Sequence, residues 1–267
     1  MVVFLLSDKN FEQQATLCIK SLQMVMPVDV KIVYFTIGFN SDLVLKNLYK
    51  HYIDFNPKFD RFTYYKPDLS LMIMDMFPND FYIYTDADIL FSPRFSIEKV
   101  INPTLSYPLA SFGMYEFPFT FDTFGGIRVY NVETDLMNYF NVPNRTMRYV
   151  WACFYSFNSF CKDFLEEWSS MCNNKYLYEK RRTLFPFHDE TSFNVCLWKR
   201  AATNSLGFAF VNTNELEILK STENGGKIQL DLNTDVHSTD SNTNILFYHG
   251  FNNLSEMSSS LDYLLTL

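Results

Sequence analysis

Two aspartates stand one residue apart in an otherwise apolar stretch, FYIYTDADILF, which runs from Phe81 to Phe91. The apolar residues predict a buried strand, and at strand spacing Asp86 and Asp88 would point to the same side, roughly 6–7 Å apart at the backbone. Carboxylates placed in this way can share one Mg²⁺ or Mn²⁺ ion, because both cations accept oxygen ligands. A structural interpretation stays open, in which Asp86 caps a turn and Asp88 meets an arginine. Burying unpaired carboxylates is costly, so we expect a cation to face them.

Three further segments contain candidate functional residues. FHDETSFN places Asp189 and Glu190 at a predicted helix start, where acidic side chains are favourable even without a catalytic role. The adjacent Gly125 and Gly126 in DTFGGIRVYN would let the backbone approach a ligand closely, although a bulge or a tight turn is the simpler explanation. His249 in ILFYHGFNN ends a predicted strand, where its imidazole could bind Mn²⁺ or remain an ordinary exposed side chain.

The elements that must position these residues alternate along the chain. Val2–Leu6 and Val30–Phe35 predict strands, and Phe11–Met24 shows helical spacing of its apolar residues. Strands and helices in alternation imply crossover connections and a largely parallel sheet. Ligands bind beyond the carboxyl ends of the strands in such sheets, and Asp86 and Asp88 follow a predicted strand at that edge. Further helices are predicted at Asp42–Tyr52, Asp68–Phe77, Thr146–Met171, Ser192–Lys199 and Asn253–Leu265, and further strands at Leu109–Tyr115, Ile127–Tyr130 and Ile245–Tyr248.

Composition narrows the class of protein. The 267 residues are 48% hydrophobic and 19% charged, and no linker or internal repeat interrupts them, so we expect a single α/β domain over residues 1–267. A net charge of −8 argues against a nucleic-acid partner, which usually meets a basic face. Five dispersed cysteines without a C-x-x-C pair predict buried free thiols in a reducing cytoplasm. No apolar run reaches the length of a signal peptide or a transmembrane segment, so we expect a soluble cytoplasmic protein.

The segment YTDADILF resembles the D-x-D region of glycosyltransferases with the GT-A fold. FHDETSFN resembles the W-H-D-E-S-H-L-N segment of glycosyltransferase family 6, and the Phe-Gly-Gly of DTFGGIRVYN is similar to that family's F-G-G segment and, more loosely, to the F-N-S-G-V segment of family 8. His249 resembles the C-terminal metal-binding histidine of family 8. The likeness implies an α/β, GT-A-like, Rossmann-type fold of nucleotide-diphospho-sugar transferases, with a mixed, mostly parallel central sheet flanked by helices. Residues 1–90 would form its nucleotide-binding half and residues 91–267 its acceptor and catalytic half.

The resemblance also implies a role for each candidate residue. Glu190 would lie below the anomeric carbon of the donor sugar with Asp189 beside it, as the catalytic residues, and His188 would face the acceptor. The cofactor would be Mn²⁺ or Mg²⁺. The implied metal ligands are Asp86, Asp88 and His249, and the implied donor contacts are Ser7, Asp8, Asp86, Gly125, Gly126 and Asp189, with Ser7 and Asp8 at the base and ribose.

The implied activity is metal-dependent transfer of a hexose-type sugar from a nucleotide-diphosphate sugar, a UDP-sugar first among them, to a hydroxyl group of a glycan or glycoconjugate acceptor, with retention of configuration. The arginine-rich segment that precedes D-x-D in family 6 is replaced here by DLSLMIMDMF, so the nucleotide base stays open. An inverting transferase of the same fold and a non-catalytic nucleotide-sugar-binding protein are alternatives that share the motifs. A nucleotidyltransferase is a further alternative, although the loop LLSDKNF lacks the glycines that such an enzyme would need.

Overall fold

A computed structural model describes residues 1–56, 61–93, 95–112, 114–115, 138–142, 149–150, 152–176, 188–203, 208–211, 247–249 and 254–266. The strands are β1 (Val2–Ser7), β2 (Lys31–Ile37), β3 (Leu48–Ile53), β4 (Tyr82–Thr85), β5 (Ile89–Phe91), β6 (Leu109–Phe112), β7 (Met114–Tyr115), β8 (Tyr149–Val150), β9 (Phe154–Phe157), β10 (Phe208–Val211) and β11 (Phe247–His249). The α-helices are α1 (Glu12–Val25), α2 (Lys66–Met76), α3 (Ile97–Ser106), α4 (Lys162–Asn173), α5 (His188–Thr203) and α6 (Leu254–Leu264).

The central sheet has seven strands in the order β10-β6-β9-β4-β1-β2-β3. Its neighbouring strands run parallel, except that β9 lies antiparallel between β4 and β6. Two short antiparallel pairs, β5 with β11 and β7 with β8, lie outside this sheet. The predicted α/β class with a mixed, mostly parallel sheet is confirmed.

The sheet is buried on both faces, as strands joined by helical crossovers require. Alternate residues of β1 point to opposite sides, so that Phe4 packs in one core cluster and Leu5 in the other. The first cluster includes residues of α2, α4 and α5, and the second includes residues of α1, α3 and α6. The continuous apolar run of β1 is therefore explained by helices that cover both faces.

The helix predicted at Asp42–Tyr52 is wrong. This part of the chain contains β3, which pairs in parallel with β2 from Ile32 opposite Leu48 to Ile37 opposite Ile53. Asn47 has a φ of 58°, which turns the chain immediately before the strand. β3 is an edge strand with mostly exposed side chains, so it lacks an apolar signal of its own, and the open edge of β2 overrides local helix propensity.

The long helix predicted at Thr146–Met171 is also wrong, because only its second half is helical, in α4. The first half contains β8 and β9. β9 is buried on both faces between β4 and β6, and a short, fully apolar strand cannot be distinguished from a buried helix by periodicity alone. Among the aromatic residues of this stretch, Phe154, Phe164 and Trp168 are buried, Phe160 is 82% exposed, and Trp151 lies outside the described residues.

The stretch from Phe81 to Phe91 forms two strands instead of one. β4 ends at Thr85, and β5 begins at Ile89 in a different sheet, so the two aspartates lie in the turn between them. The strand spacing assumed for Asp86 and Asp88 is therefore wrong, although both residues line the same cavity. The strand expected at Ile127–Tyr130 lies outside the described residues, as do Gly125 and Gly126.

The remaining predicted elements agree with the structure to within a few residues. All five cysteines are buried free thiols, as predicted. None of the helices in the described residues has the length and apolar character that crossing a membrane requires.

Candidate functional site

A cavity of about 480 Å³ opens at the carboxyl edge of the central sheet. Its walls come from the segment after β1, the turn before α2, and the turn after β4. This is the edge at which ligands of parallel sheets bind, so the position agrees with the prediction from sequence. The lining residues are Asp8, Phe11, Arg61, Phe62, Thr63, Asp86, Ala87 and Asp88.

The segment after β1 brings Asp8 and Phe11 to the cavity. The Asp8 carboxylate accepts the backbone N–H groups of Asn10 at 2.9 Å and of Phe11 at 3.2 Å, which caps a short 3₁₀ turn. The Phe11 ring is 37% exposed and lies 5.2 Å from the ring centre of Phe62. Ser7 is buried, and its hydroxyl group bonds with that of Tyr34 at 2.7 Å, so the structure does not bring the Ser7 side chain to the cavity.

Lys66, in the first turn of α2, is the cation that faces the carboxylates. Its Nζ lies 3.0 Å from Asp86 Oδ1 and 3.0 Å from Asp189 Oδ2, and it donates to the Ala152 carbonyl oxygen at 3.1 Å. The Lys66 side chain is only 4% exposed. Lys66, Asp86 and Asp189, hereafter the Lys66 cluster, therefore join the D-x-D turn to the start of α5.

The charges of the Lys66 cluster stabilise one another. Burial by itself would lower the pKa of Lys66, but the carboxylates of Asp189 and Asp86 outweigh burial and raise that pKa well above its ordinary value. The lysine therefore stays protonated at any physiological pH. A buried ion cluster of this kind is stable only while all its members are present, because a lone buried charge is strongly unfavourable.

Tyr84 fixes the orientation of the Asp86 carboxylate. Its hydroxyl group donates to Asp86 Oδ1, and its ring stacks on Tyr155 at a centre-to-centre distance of 4.9 Å. The Tyr155 hydroxyl bonds with Ser70 Oγ at 2.9 Å, and Ser70 Oγ donates to the Lys66 carbonyl oxygen at 2.8 Å. Burial, together with Asp86, raises the pKa of Tyr84, so the phenol remains a neutral donor.

The backbone between β8 and β9 connects the separate parts of the site. The Asp86 N–H donates to the Cys153 carbonyl oxygen at 2.8 Å, and the Ala152 carbonyl accepts from Lys66. The Ala152 N–H donates to Glu190 Oε2 at 3.1 Å. Backbone groups of two consecutive residues, Ala152 and Cys153, therefore hold Asp86, Lys66 and Glu190 in one arrangement.

Asp189 and Glu190 lie in the first turn of α5. Asn194 fixes this helix against β8, since its side chain accepts the Val150 N–H and donates to the Val150 carbonyl oxygen, both at 2.8 Å. Burial raises the pKa of Glu190 to about 8, an effect that the Ala152 N–H opposes and the Asp189 charge reinforces. The side chain of His188, the first residue of α5, lies outside the described residues.

The predicted metal ligands come from two distant parts of the chain. Asp86 and Asp88 reach the cavity, and the pairing of β11 with β5 places the His249 backbone opposite Ile89, the residue after Asp88. The His249 side chain lies outside the described part, and within that part no three His, Cys, Asp or Glu side chains form a metal-binding group. Two carboxylates and a neighbouring histidine are a donor set that suits Mn²⁺ or Mg²⁺.

Sequence reasoning missed Lys66, Tyr84 and the Ala152–Cys153 backbone. The signal for Lys66 was a single lysine at the head of the apolar helix KPDLSLMIM, where a charged side chain has little access to water. Nothing in the sequence indicated a role for Tyr84 or Ala152, because each lies among apolar residues and does not differ from them in character.

Solved structures share this fold. The galactosyltransferase LgtC in complex with donor and acceptor sugar analogs matches with a TM-score of 0.55 and 12% sequence identity, covering 100% of this chain and 97% of that one. An active-site mutant of LgtC matches with a TM-score of 0.56 and 15% identity, covering 97% and 96% of the two chains. No protein-family model and no curated protein sequence matches the chain. The protein has a mixed α/β fold of the GT-A type, as LgtC does.

Proposed function

We propose that this protein is a glycosyltransferase that moves a hexose-type sugar from a nucleotide-diphosphate sugar, a UDP-sugar first among them, to a hydroxyl group of a glycan or glycoconjugate acceptor. The observation that carries the proposal is the Lys66 cluster, which joins the D-x-D turn to the start of α5 beside a cavity at the carboxyl edge of the sheet. LgtC, a galactosyltransferase that binds donor and acceptor sugar analogs, supports the proposal because it shares the fold.

The cavity suits a nucleotide-diphosphate sugar in size and in chemistry. Its volume of about 480 Å³ is within the range of small-molecule sites. Phe11 and Phe62 offer aromatic surface for a nucleobase, and Asp8 stands beside Phe11 for the base or the ribose. Sugar hydroxyl groups would be bound by Asp86 and Asp189, whose carboxylates are already oriented by Lys66.

Asp86, Asp88 and His249 would hold Mn²⁺ or Mg²⁺ at this edge. When bound, a divalent ion neutralises the negative charge that develops on the leaving diphosphate. The chain contributes a prepared ligand set, because Tyr84 and Lys66 fix Asp86 before any ligand arrives. Asp88 already lines the cavity, so it would contribute to the metal site without a rearrangement of the fold.

Glu190 would act on the sugar. Positive charge develops at the anomeric carbon as the bond to the diphosphate breaks, and a carboxylate at that point stabilises the charge. In a retaining reaction Glu190 would support the sugar face opposite the leaving group, with Asp189 holding the sugar. In an inverting reaction it would accept the proton of the acceptor hydroxyl group. Either role needs the anionic form, which becomes populated as the pH rises towards the Glu190 pKa of about 8.

The experiment that tests the proposal is a thermal-shift panel of UDP-, GDP-, CMP- and dTDP-sugars, each with Mn²⁺ or with EDTA. A ligand at 100 times its dissociation constant stabilises the folded state by about 2.7 kcal/mol, which raises Tm by several degrees. We expect one nucleotide class to raise Tm in Mn²⁺ and not in EDTA. The positive sugar would then be incubated with the protein and assayed for release of the nucleoside diphosphate.

Each outcome of the panel has a distinct meaning. A Mn²⁺-dependent shift followed by release of the diphosphate supports the proposed transfer. A shift without release over long incubation and with varied acceptors favours the non-catalytic binding protein. No shift with any nucleotide sugar contradicts the proposal, and nucleoside triphosphates would then test the nucleotidyltransferase alternative.

A further inference from the structure

The turn before α2 carries two polar side chains that the mechanism above does not use. Arg61 and Thr63 both line the cavity, whose walls also contain the carboxylates of Asp8, Asp86 and Asp88. The turn is closed by the Tyr64 N–H, which donates to the Arg61 carbonyl oxygen at 3.4 Å. It leads directly into Lys66 and is therefore attached to the buried side of the site.

Among the described residues that line the cavity, Arg61 is the one basic residue. Within the described part of the chain, neither a hydrogen bond nor an ion pair joins its guanidinium group to another side chain. Arg200, by contrast, donates through Nε to Glu167 at 2.9 Å. An exposed guanidinium group in a cavity wall offers five N–H donors in a planar fork, which matches the oxygens of a phosphate group.

Thr63 gives a second, independent indication at the same turn. Its Oγ1 atom is buried and has no hydrogen-bond partner among the described residues. Buried hydroxyl groups in folded proteins are nearly always paired, and an unpaired one calls for a water molecule or a ligand as its partner. Thr63 lines the same cavity as Arg61, so one anion bound there has both donors in the wall around it.

The charges of the described residues in the cavity wall also favour a cation at this position. Three carboxylates in the wall would repel a diphosphate, and the ammonium group of Lys66 is already bound by Asp86 and Asp189. A divalent ion offsets part of this repulsion. Arg61, in the turn before α2, adds a positive charge to the wall of the same cavity.

We infer that Arg61 binds the diphosphate of the nucleotide donor, with the Thr63 hydroxyl group as a second donor. The inference rests on the proposed function. In the transfer, the bond between the anomeric carbon and the diphosphate oxygen breaks, and its electron pair stays on that oxygen. The acceptor oxygen bonds to the anomeric carbon and gives its proton to a base. Arg61 stabilises the charge that the diphosphate gains in this step.

The test compares a nucleoside diphosphate with its nucleoside, using UDP and uridine unless the panel selects another base. Both are titrated calorimetrically in Mn²⁺ into the wild-type protein, Arg61→Gln, Arg61→Lys and Thr63→Val. We expect Arg61→Gln to weaken UDP binding by about 10-fold or more and to leave uridine binding unchanged, because only the phosphates contact the fork. Arg61→Lys should retain part of the affinity, and Thr63→Val should lose a few-fold without lowering Tm.

Arg200→Gln is the matched control, since it removes the same group at the far end of α5. We expect it to bind UDP as the wild type does. Wild-type affinity for UDP in Arg61→Gln would overturn the assignment and leave the proposed function standing. Equal losses for UDP and uridine would also overturn it, because they indicate general damage to the cavity. Absence of nucleotide binding in the wild type would contradict the proposed function and this inference with it.

Discussion

The two ends of β4 carry similar groups of charges in different surroundings. Before the strand, Asp80 lies 3.4 Å from the Lys31 Nζ and 2.5 Å from the Met1 amine. After it, Asp86 lies 3.0 Å from the Lys66 Nζ. The Lys31 side chain is 37% exposed and that of Lys66 only 4%. The lysine is thus partly exposed at one end and buried at the other, whereas Asp80 and Asp86 are both partly exposed, at 26% and 19%.

This difference supports the proposal that the functional site lies at the carboxyl end of the strand. A surface ion pair is screened by water and contributes little to stability. A buried cluster loses the hydration of every charge, so it persists only where the surrounding structure holds all members in place. At the carboxyl end that structure consists of Tyr84 and the Ala152–Cys153 backbone. Strongly perturbed ionisable groups concentrate at active sites, which favours the carboxyl end.

The largest effect is expected from Lys66→Met, which removes the buried ammonium group that lies between Asp86 and Asp189. We expect a loss of about 3–5 kcal/mol in the free energy of unfolding. Transfer activity should be lost with it, because both carboxylates would protonate or move. Urea denaturation measures the first effect and a donor-turnover assay the second. A loss no greater than that of Lys31→Met would contradict the contrast between the two ends.

A large effect on function alone is expected from Asp88→Ala. This variant should fold with a Tm close to that of the wild type and lose the Mn²⁺-dependent shift by the donor, because a carboxylate ligand is missing. Asp80→Ala, at the other end of β4, is the matched control and should keep the shift. Donor binding in Asp88→Ala as strong as in the wild type would show that the metal assignment is wrong.

Glu190→Gln separates binding from chemistry. The amide keeps the size of the side chain but cannot carry the negative charge that the anomeric carbon requires. We expect donor affinity within a few-fold of the wild type and turnover reduced by about 10²–10⁴-fold. Calorimetry and turnover assays on one preparation measure both. Undiminished turnover would assign the catalytic role to another residue.

A smaller effect concerns the pH dependence of stability. The pKa of Glu190 is about 8 in the folded protein, against an ordinary value of 4.5, so the folded state holds more protons between these values. Stability should therefore fall as the pH rises from about 5 to 8, and fall further above about pH 9, where the unfolded state loses thiol protons that the buried cysteines retain. The shifted tyrosines and thiols titrate above this window, and Glu12 and Asp80 below it. Parallel Tm curves for the wild type and Glu190→Gln would contradict the assignment.

The smallest effect is expected from Lys31→Met. It removes a half-exposed partner of Asp80, so the free energy of unfolding should change by about 0–1 kcal/mol. Donor binding and turnover should stay as in the wild type. Urea denaturation with and without 1 M salt measures the first quantity. A loss comparable to that of Lys66→Met would mean that burial does not distinguish the two ends.

Local residue patterns were enough to predict several elements of the fold. Burial explains the apolar runs of β1, β2 and β4 and the amphipathic spacing of α1. These patterns lie within single segments of the chain, so the sequence of each segment is sufficient to predict it. The two acidic segments were likewise visible, because carboxylates in apolar surroundings are costly and therefore conspicuous. These features were sufficient to predict the α/β class, a candidate site at the carboxyl edge of the sheet, and the main candidate residues.

Contacts between residues that are far apart in the chain became visible only in the folded structure. β3 and β9 became strands because open sheet edges offered them backbone hydrogen bonds, which outweigh local propensity. Lys66 lies between Asp86 and Asp189 because α2 and α5 pack on the same face of the sheet, and the β5–β11 ladder brings His249 next to the D-x-D turn. Such contacts depend on how whole helices and strands pack against one another, and a short stretch of sequence contains no information about that packing.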